Sequence, residues 1–493
     1  MGIPMLGVMR HRGSQVAKPE AGSTSPEILV PLIMAVSLAL VIGTTKPTLS
    51  LTLILGTLPL VVAFLSPLAG LYLLVFSMLL GPELLIGGMG SGTTLGRGVT
   101  LRFDDLLLVL VGVAWLARKA ISKQAAPFFR TPLSRPIMLY TAACVLATLM
   151  GILTGRVRPV AGFFFLLKYY EYFFLYFMTV NIITSQKQIR SLVGASLVTC
   201  FLVSLFALSQ IPSGERVSAP FEGKEGEPNT LGGYLVFMGA VLAGLLVTPG
   251  AVTNKVPFLI LLGVSGIALQ ATLSRASFLA AGVVILGFLG FVGRRNPFLL
   301  AFVLMGLLTS AWWAPQAVTE RIMYTFTQPQ EEGQIRLGSL RVDTSTSDRL
   351  RSWQQSLEYF QRSPLWGTGV AGGPFMDAMY PRVLVETGLL GMSTFLVLLW
   401  AVFQTGIAGY QQAPDPFMRG VALGFLLGFV GLLVHAVGSN TFIIVRIMEP
   451  FWLYAALIVR VLIMRDAHPA SEAGTLAQRT IDRGEAQRGL KSA

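Results

Sequence analysis

Long apolar runs broken by short polar turns set the pattern of this chain. A hydrocarbon layer about 30 Å thick is crossed by roughly 20 apolar residues in a helix. Runs of this kind fall at 28–43, 50–65, 68–81, 103–117, 136–154, 161–183, 190–210, 231–248, 255–272, 275–292, 297–313, 384–407, 417–437 and 442–462. The runs at 50–65 and 68–81 are separated only by Ser66-Pro67, and read either as two spans or as a re-entrant hairpin. The pattern predicts an all-α polytopic transmembrane bundle of about twelve to fourteen spans.

The longest polar interval, 314–383, is far longer than a connection requires. Its part 328–347 has few large apolar residues and reads as irregular. From Asp348 onward, Leu350, Trp353, Leu357 and Phe360 recur at spacings of three and four, which predicts an amphipathic helix. Ser345 or Ser347 is the expected cap, with Asp348 in the first turn. Pro364 ends the helix, and Gly367, Gly369, Gly372 and Gly373 make the turn that follows. One reading of this helix is a segment lying on the membrane surface with its arginines toward lipid phosphates.

Composition agrees with the bundle. The 493 residues are 53% hydrophobic and 12% charged, about half the charged share of a soluble domain. The net charge of +13 does not point to nucleic acid, because the basic residues lie mostly in short loops between apolar runs. Lysines and arginines at 118–135, Lys187, Arg190, Arg294 and Arg295 mark one side as cytoplasmic. That assignment divides the chain into a cytoplasmic N-terminal tail (1–27), a first part of the bundle (28–313), an extracytoplasmic loop domain (314–383), the last spans (384–462) and a cytoplasmic disordered tail (463–493). Both termini then lie in the cytoplasm, and no cleaved signal peptide is expected. Cys144 and Cys200 each sit inside an apolar run and read as small core residues.

Charge inside apolar runs is costly and either pairs or lines a polar cavity. Lys168 and Glu171 have the i,i+3 spacing of a pair, as do Arg446 and Glu449. Arg275 sits at a junction of two runs on the outer side, and His435 near the outer end of its span reads as a packing residue. Arg275, Arg349, Arg446 and Lys168 would all open toward the outer half of one bundle. A cationic cavity there suits a phosphate-bearing lipid, because guanidinium groups bind phosphate oxygens in a planar, bidentate way.

Several segments together resemble the O-antigen ligase and O-antigen polymerase superfamily of membrane glycosyltransferases. They are 102-RFDDLLLVLVGVAWLAR-118, 228-PNTLGGYL-235, 272-TLSRASFLAAGVV-284, 349-RLRSWQQSLEYFQRSPLWGTGV-370 and 377-DAMYPRVLVETGLLG-391. The shared pieces are Ser274-Arg275, Arg349 four before Trp353, Pro364 with Gly367 and Gly369, and Glu386 with Gly388 and Gly391. Ligases of the superfamily commonly carry a histidine nine positions before that glutamate. Here the position is Asp377, and with Tyr380 it fits the Asp-Asn-x-Tyr pattern of polymerase-like relatives, apart from Ala378. The difference favours polymerisation, or transfer to an acceptor other than lipid A–core.

The resemblance implies an undecaprenyl-diphosphate-linked glycan donor, a glycan or lipid-glycan acceptor, a place in the bacterial cytoplasmic membrane and a role in lipopolysaccharide or exopolysaccharide synthesis. It implies catalysis by Asp377, Arg275 and Arg349, with Arg351, Arg446, Lys168, Tyr380 and Glu386 binding substrate. Neither metal nor cofactor is expected, since the outer loop has no His/Asp/Glu cluster at ligand spacing. A lipid or solute transporter is the alternative class, but the two halves show no repeat of the kind such folds carry. A membrane scaffold whose loop binds a partner is a third.

Overall fold

The computed structural model describes residues 58–84, 101–121, 130–222, 226–293, 305, 316–329, 334–337, 340–341, 343–374 and 376–465. The expected span at 28–43, all of 297–313 but Met305, most of 50–65, the N-terminal tail and the C-terminal tail after 465 lie outside the described residues. Within them the chain is a bundle of helices. They are α1 (Pro67–Leu80), α2 (Phe103–Ile121), α3 (Ser134–Leu153), α4 (Pro159–Ile182), α5 (Gln186–Gln210), α6 (Pro228–Val247), α7 (Val256–Ala271) and α8 (Arg275–Gly293), followed by α9 (Gln316–Thr327), α10 (Thr344–Arg362), α11 (Met379–Gln411), α12 (Pro416–His435) and α13 (Val445–Arg465). Two antiparallel two-residue pairs, β1 (Glu83–Leu84) with β2 (Leu101–Arg102) and β3 (Arg336–Leu337) with β4 (Leu340–Arg341), lie among the connections.

Six described helices are long and apolar enough to cross a membrane, and α1, α7 and most of α8 are shorter apolar helices. The all-α polytopic bundle expected from the sequence is what forms, and the protein is a multi-pass membrane protein. Helix ends follow local chemistry. Ser66 caps α1, Ser185 and Gln188 form a capping box at α5, and Asp415 caps α12 by accepting from Met418 N at 3.1 Å. Asp415 also takes Arg190 at 3.0 Å, tying the start of α5 to the start of α12.

The core centres on α13, whose Phe451, Trp452 and Tyr454 are buried among aromatic side chains of α4, α6 and α12. Helices α6 and α12 approach along glycines. A β-carbon on Gly244 would lie 2.3 Å from Gly420 O, and one on Gly424 would lie 2.5 Å from Val241 Cα. Small residues let two backbones pack this closely in lipid, where association depends on contact and not on expelling water. Large apolar side chains such as Met138, Leu139, Leu202, Ile260, Leu279 and Trp400 remain exposed on the outside of the bundle. In a bilayer that surface meets acyl chains.

The long polar interval 314–383 holds more regular structure among its described residues than its composition suggests. The β3–β4 hairpin falls inside the stretch read as irregular, and α10 begins at Thr344 with Asp343 as its cap, not Ser345 or Ser347. Ser347 has another role: its hydroxyl accepts from Ile335 N at 2.8 Å. The apolar stripe of α10 is only partly turned toward the protein. Leu350 and Phe360 are half-buried and Trp353 and Leu357 are exposed, whereas Ser352 and Ser356 are buried against the bundle. The small polar residues pack inward and the middle of the stripe is left outward.

Candidate active site

The break between α7 and α8 places the first functional side chain. Leu273 takes a left-handed backbone with φ 49°, which turns the chain sharply into Ser274 and the start of α8. The Ser274 hydroxyl donates to Asn229 Oδ1 at 2.7 Å and accepts from Ser277 Oγ at 2.8 Å. Ser277 Oγ in turn lies 3.1 Å from His435 Nε2, and His435 Nδ1 lies 2.8 Å from Thr441 Oγ1. This buried chain of hydroxyls and imidazole fixes the starts of α6 and α8 to the end of α12. Both ring nitrogens of His435 are engaged and the residue is fully buried, so it packs, as its place in the span suggested.

From that fixed turn Arg275 reaches the cap of α10, where Nη2 donates to Asp343 Oδ2 at 2.7 Å. The other oxygen of Asp343 caps α10 by accepting from Thr346 N at 3.1 Å. Burial pushes the Asp343 carboxyl up, but the Arg275 guanidinium and the Thr346 bond outweigh it and hold the group below its ordinary value. One carboxylate therefore both starts the helix and anchors it to the bundle. Arg349, about one and a half turns later, donates from Nε to Gly438 O at 3.0 Å. A β-carbon on Gly438 would meet Ala276 Cβ and Arg349 Nε, each at 3.5 Å, so Arg349 and the residue after Arg275 share one neighbour.

The segment 436–440 is also where the start of α11 is fastened. Met379 N donates to Ala436 O at 3.0 Å, Asn440 Nδ2 donates to Met376 O at 2.6 Å, and Tyr380 OH donates to Leu433 O at 2.7 Å. Asp377 lies between the two fastened residues, with an exposed side chain. Arg349, Ala276 beside Arg275, and Met376 and Met379 on either side of Asp377 thus meet one short backbone stretch after α12, while Tyr380 is bonded to the last turns of α12 itself. Arg351 is exposed on α10.

The other expected site residues are engaged with partners of their own. Glu386 is buried; it accepts from Arg382 Nε at 3.1 Å, from Ala371 N at 3.3 Å and from Tyr169 OH at 3.4 Å. It clamps the glycine turn, whose backbone is sewn to α11 by Thr368 N to Val385 O at 2.8 Å and Gly369 N to Glu386 O at 2.9 Å. Gly388 breaks α11 with φ 64°, and a β-carbon there would lie 2.5 Å from Leu365 O. The two glycine motifs recognised in the sequence are two sides of one tight backbone contact. Lys168 pairs with Glu171 at 3.4 Å, as its spacing predicted, and also with Asp105 of α2. Arg446 reaches across to Pro220 O at 2.7 Å, Leu79 O at 3.3 Å and Glu222 Oε1 at 3.9 Å, holding the loop before α6 to the bundle. Burial raises the Glu222 carboxyl to about 7, with Arg446 opposing it.

Sequence reasoning missed Asp343, Ser277, Asn229 and Gly438. Only Asp343 had a local signal, an aspartate three residues before Thr346 in the N-cap position. The others act through tertiary contacts with no fixed spacing.

Residues 257–410 match the family model described as O-antigen ligase, which bears out the resemblance to that superfamily. The match runs from α7 into the end of α11 and takes in Arg275, Arg349, Asp377 and Glu386. No curated protein matches the chain. Together with the apolar helices, the family match supports a membrane enzyme of glycan transfer in polysaccharide biosynthesis.

Proposed function

We propose, for a chain whose residues 257–410 match the O-antigen ligase family, that it moves or polymerises glycan from a polyprenyl-diphosphate donor on the outer side of the cytoplasmic membrane. The acceptor is a sugar or another hydroxyl-bearing group. Its oxygen attacks the anomeric carbon, the new glycosidic bond forms, and the bond from that carbon to the diphosphate oxygen breaks. The leaving diphosphate keeps the electron pair. Two groups are then needed, one to receive the growing negative charge and one to take the hydroxyl proton.

Arg275 and Arg349 fill the first role. Fixed guanidinium groups stabilise developing charge without reorganising during the reaction, so no metal is needed at the diphosphate. Arg275 is held by Asp343, and its planar guanidinium is of the kind that binds phosphate oxygens. Asp377 fills the second role as general base, since an exposed carboxylate accepts a proton without prior loss of a partner. Arg351, Tyr380, Lys168, Arg446 and Glu386 support donor and acceptor binding, the last three by holding the surrounding elements in place. The apolar face of α10 lies at the membrane surface, where the lipid end of the donor remains.

The observation that supports this reading is that Arg349, the residue next to Arg275 and the residues flanking Asp377 all meet the stretch 436–440. The test is glycan transfer by purified protein from an undecaprenyl-diphosphate-linked oligosaccharide. Arg275→Ala, Arg349→Ala and Asp377→Asn should each reduce turnover by about a hundredfold or more at unchanged expression. Wild-type turnover in both arginine variants would remove the proposed role of the site. Movement of intact donor across the bilayer, with no transfer, would make the protein a carrier instead.

A further inference from the structure

A second charged cluster lies in the bundle, outside the site described above. The start of α2 supplies Asp104 and Asp105, with Arg102 just before it; α4 supplies Lys168 and Glu171; α13 supplies Glu449. One carboxylate oxygen from each of Asp104, Glu171 and Glu449 falls within 4.8 Å of the other two. Asp104 and Glu449 have no exposed surface, and Glu171 is 9% exposed.

The cations nearby are already committed. Lys168 is held by Asp105 and by Glu171 Oε2 at 3.4 Å. Arg102 donates from Nη2 to Met78 O at 2.8 Å and approaches Asp104 Oδ2 at 2.8 Å without the alignment of a hydrogen bond. Four carboxylates thus face two cationic side chains, leaving two negative charges uncompensated if all ionise. Glu449 provides an independent sign of a missing ligand. It is wholly buried, it projects from a different helix into the group, and neither of its oxygens has a hydrogen-bond partner among the described residues. Buried carboxylates are normally paired, hydrogen-bonded or coordinated to a metal.

We propose that Asp104, Glu171 and Glu449 bind one divalent cation of about the size of calcium. Its two charges match the cluster's excess. The donor set is oxygen alone, which selects a hard cation over zinc or copper. Calcium accepts irregular sites built of several protein carboxylates, whereas magnesium demands near-ideal octahedral geometry and keeps several waters, so a buried cluster of three carboxylates from three helices favours the larger ion. Bound there, the ion links α2 and α4 to the central helix α13. It takes no part in the diphosphate chemistry, and its test does not depend on that reading.

The experiment uses the full chain purified in detergent, stripped with EDTA and dialysed against radiolabelled calcium, with thermal unfolding followed in parallel. One calcium per chain should bind, and the unfolding midpoint should fall on stripping and recover with calcium more than with magnesium. Glu449→Gln should weaken calcium binding by at least about tenfold, because affinity follows ligand charge. Should that variant fail to fold, Glu171→Gln provides the same comparison. No stoichiometric calcium and an unfolding midpoint indifferent to EDTA would overturn the proposal in favour of protonated carboxyls. Unaltered calcium binding in both variants would overturn it as well.

Discussion

Replacing Asp343 separates two jobs that one carboxylate performs. Its Oδ1 caps α10 through Thr346 N, and its Oδ2 holds Arg275 at 2.7 Å. Asparagine caps a helix as well as aspartate does, so Asp343→Asn leaves the cap and removes the charge from the anchor. A hydrogen bond to a charged group contributes about 1.5–3 kcal/mol; that much should be lost from the docking of α10. Asp343→Ala loses the cap too, for a further ~1 kcal/mol. Limited tryptic cleavage after Arg336 or Arg341, followed by peptide mass spectrometry, reads the opening of this segment. When closing is faster than cleavage, the rate follows the open population. Asp343→Asn should then be cut about tenfold to a hundredfold faster than wild type, and Asp343→Ala faster still. Because the folded carboxyl lies below its ordinary value of 3.8, the anchoring is fully present above that pH and is lost as pH falls through the folded value. Acid should therefore open this segment in wild type and leave Asp343→Asn almost unchanged, read below pH 4 by cleavage with pepsin, which is active there. Wild-type cleavage of Asp343→Asn, with faster cleavage of Asp343→Ala, would reduce Asp343 to a cap and refute the anchor.

Gly388→Ala should destabilise the protein by at least about 1–2 kcal/mol from its left-handed backbone alone, and by more because the new carbon would meet Leu365 O at 2.5 Å; a wild-type thermal midpoint in detergent would show that the α11 break tolerates a side chain. Glu222, raised from 4.5 to about 7, holds its proton in the folded state over a range where the unfolded chain has released it. Stability should therefore decline as pH rises from about 5 to 7, by an amount on the order of 3 kcal/mol. Glu222→Gln should flatten that decline, which denaturation at several pH values would check.

The sequence by itself determined the material of this protein. Runs of about 20 apolar residues leave a helix no alternative in lipid, because the backbone must satisfy its own hydrogen bonds there. The spans at Ser134–Leu153, Pro228–Val247 and Pro416–His435 were therefore legible almost to their ends. The spacing of Leu350, Trp353, Leu357 and Phe360 likewise gave away α10, and Gly367 and Gly388 announced backbone positions that only glycine fills. Periodicity says that a helix has two faces, but it does not say which one meets protein. In α10 Trp353 and Leu357 of the apolar stripe turn outward and Ser352 and Ser356 turn in, a choice that the spacing alone does not make.

What tertiary structure alone decided is which charges meet. Lys168 and Glu171 pair within one helix turn, and their spacing is enough to foresee it. Arg275 with Asp343, Arg446 with Glu222, and Arg349 with the carbonyl of Gly438 join residues 68, 224 and 89 positions apart. The acidic group of Asp104, Glu171 and Glu449 is drawn from three helices in the same way. No local pattern encodes such meetings. They follow from how closely glycine-lined helices pack and from where a left-handed Leu273 points the start of α8, and both are properties of the assembled bundle.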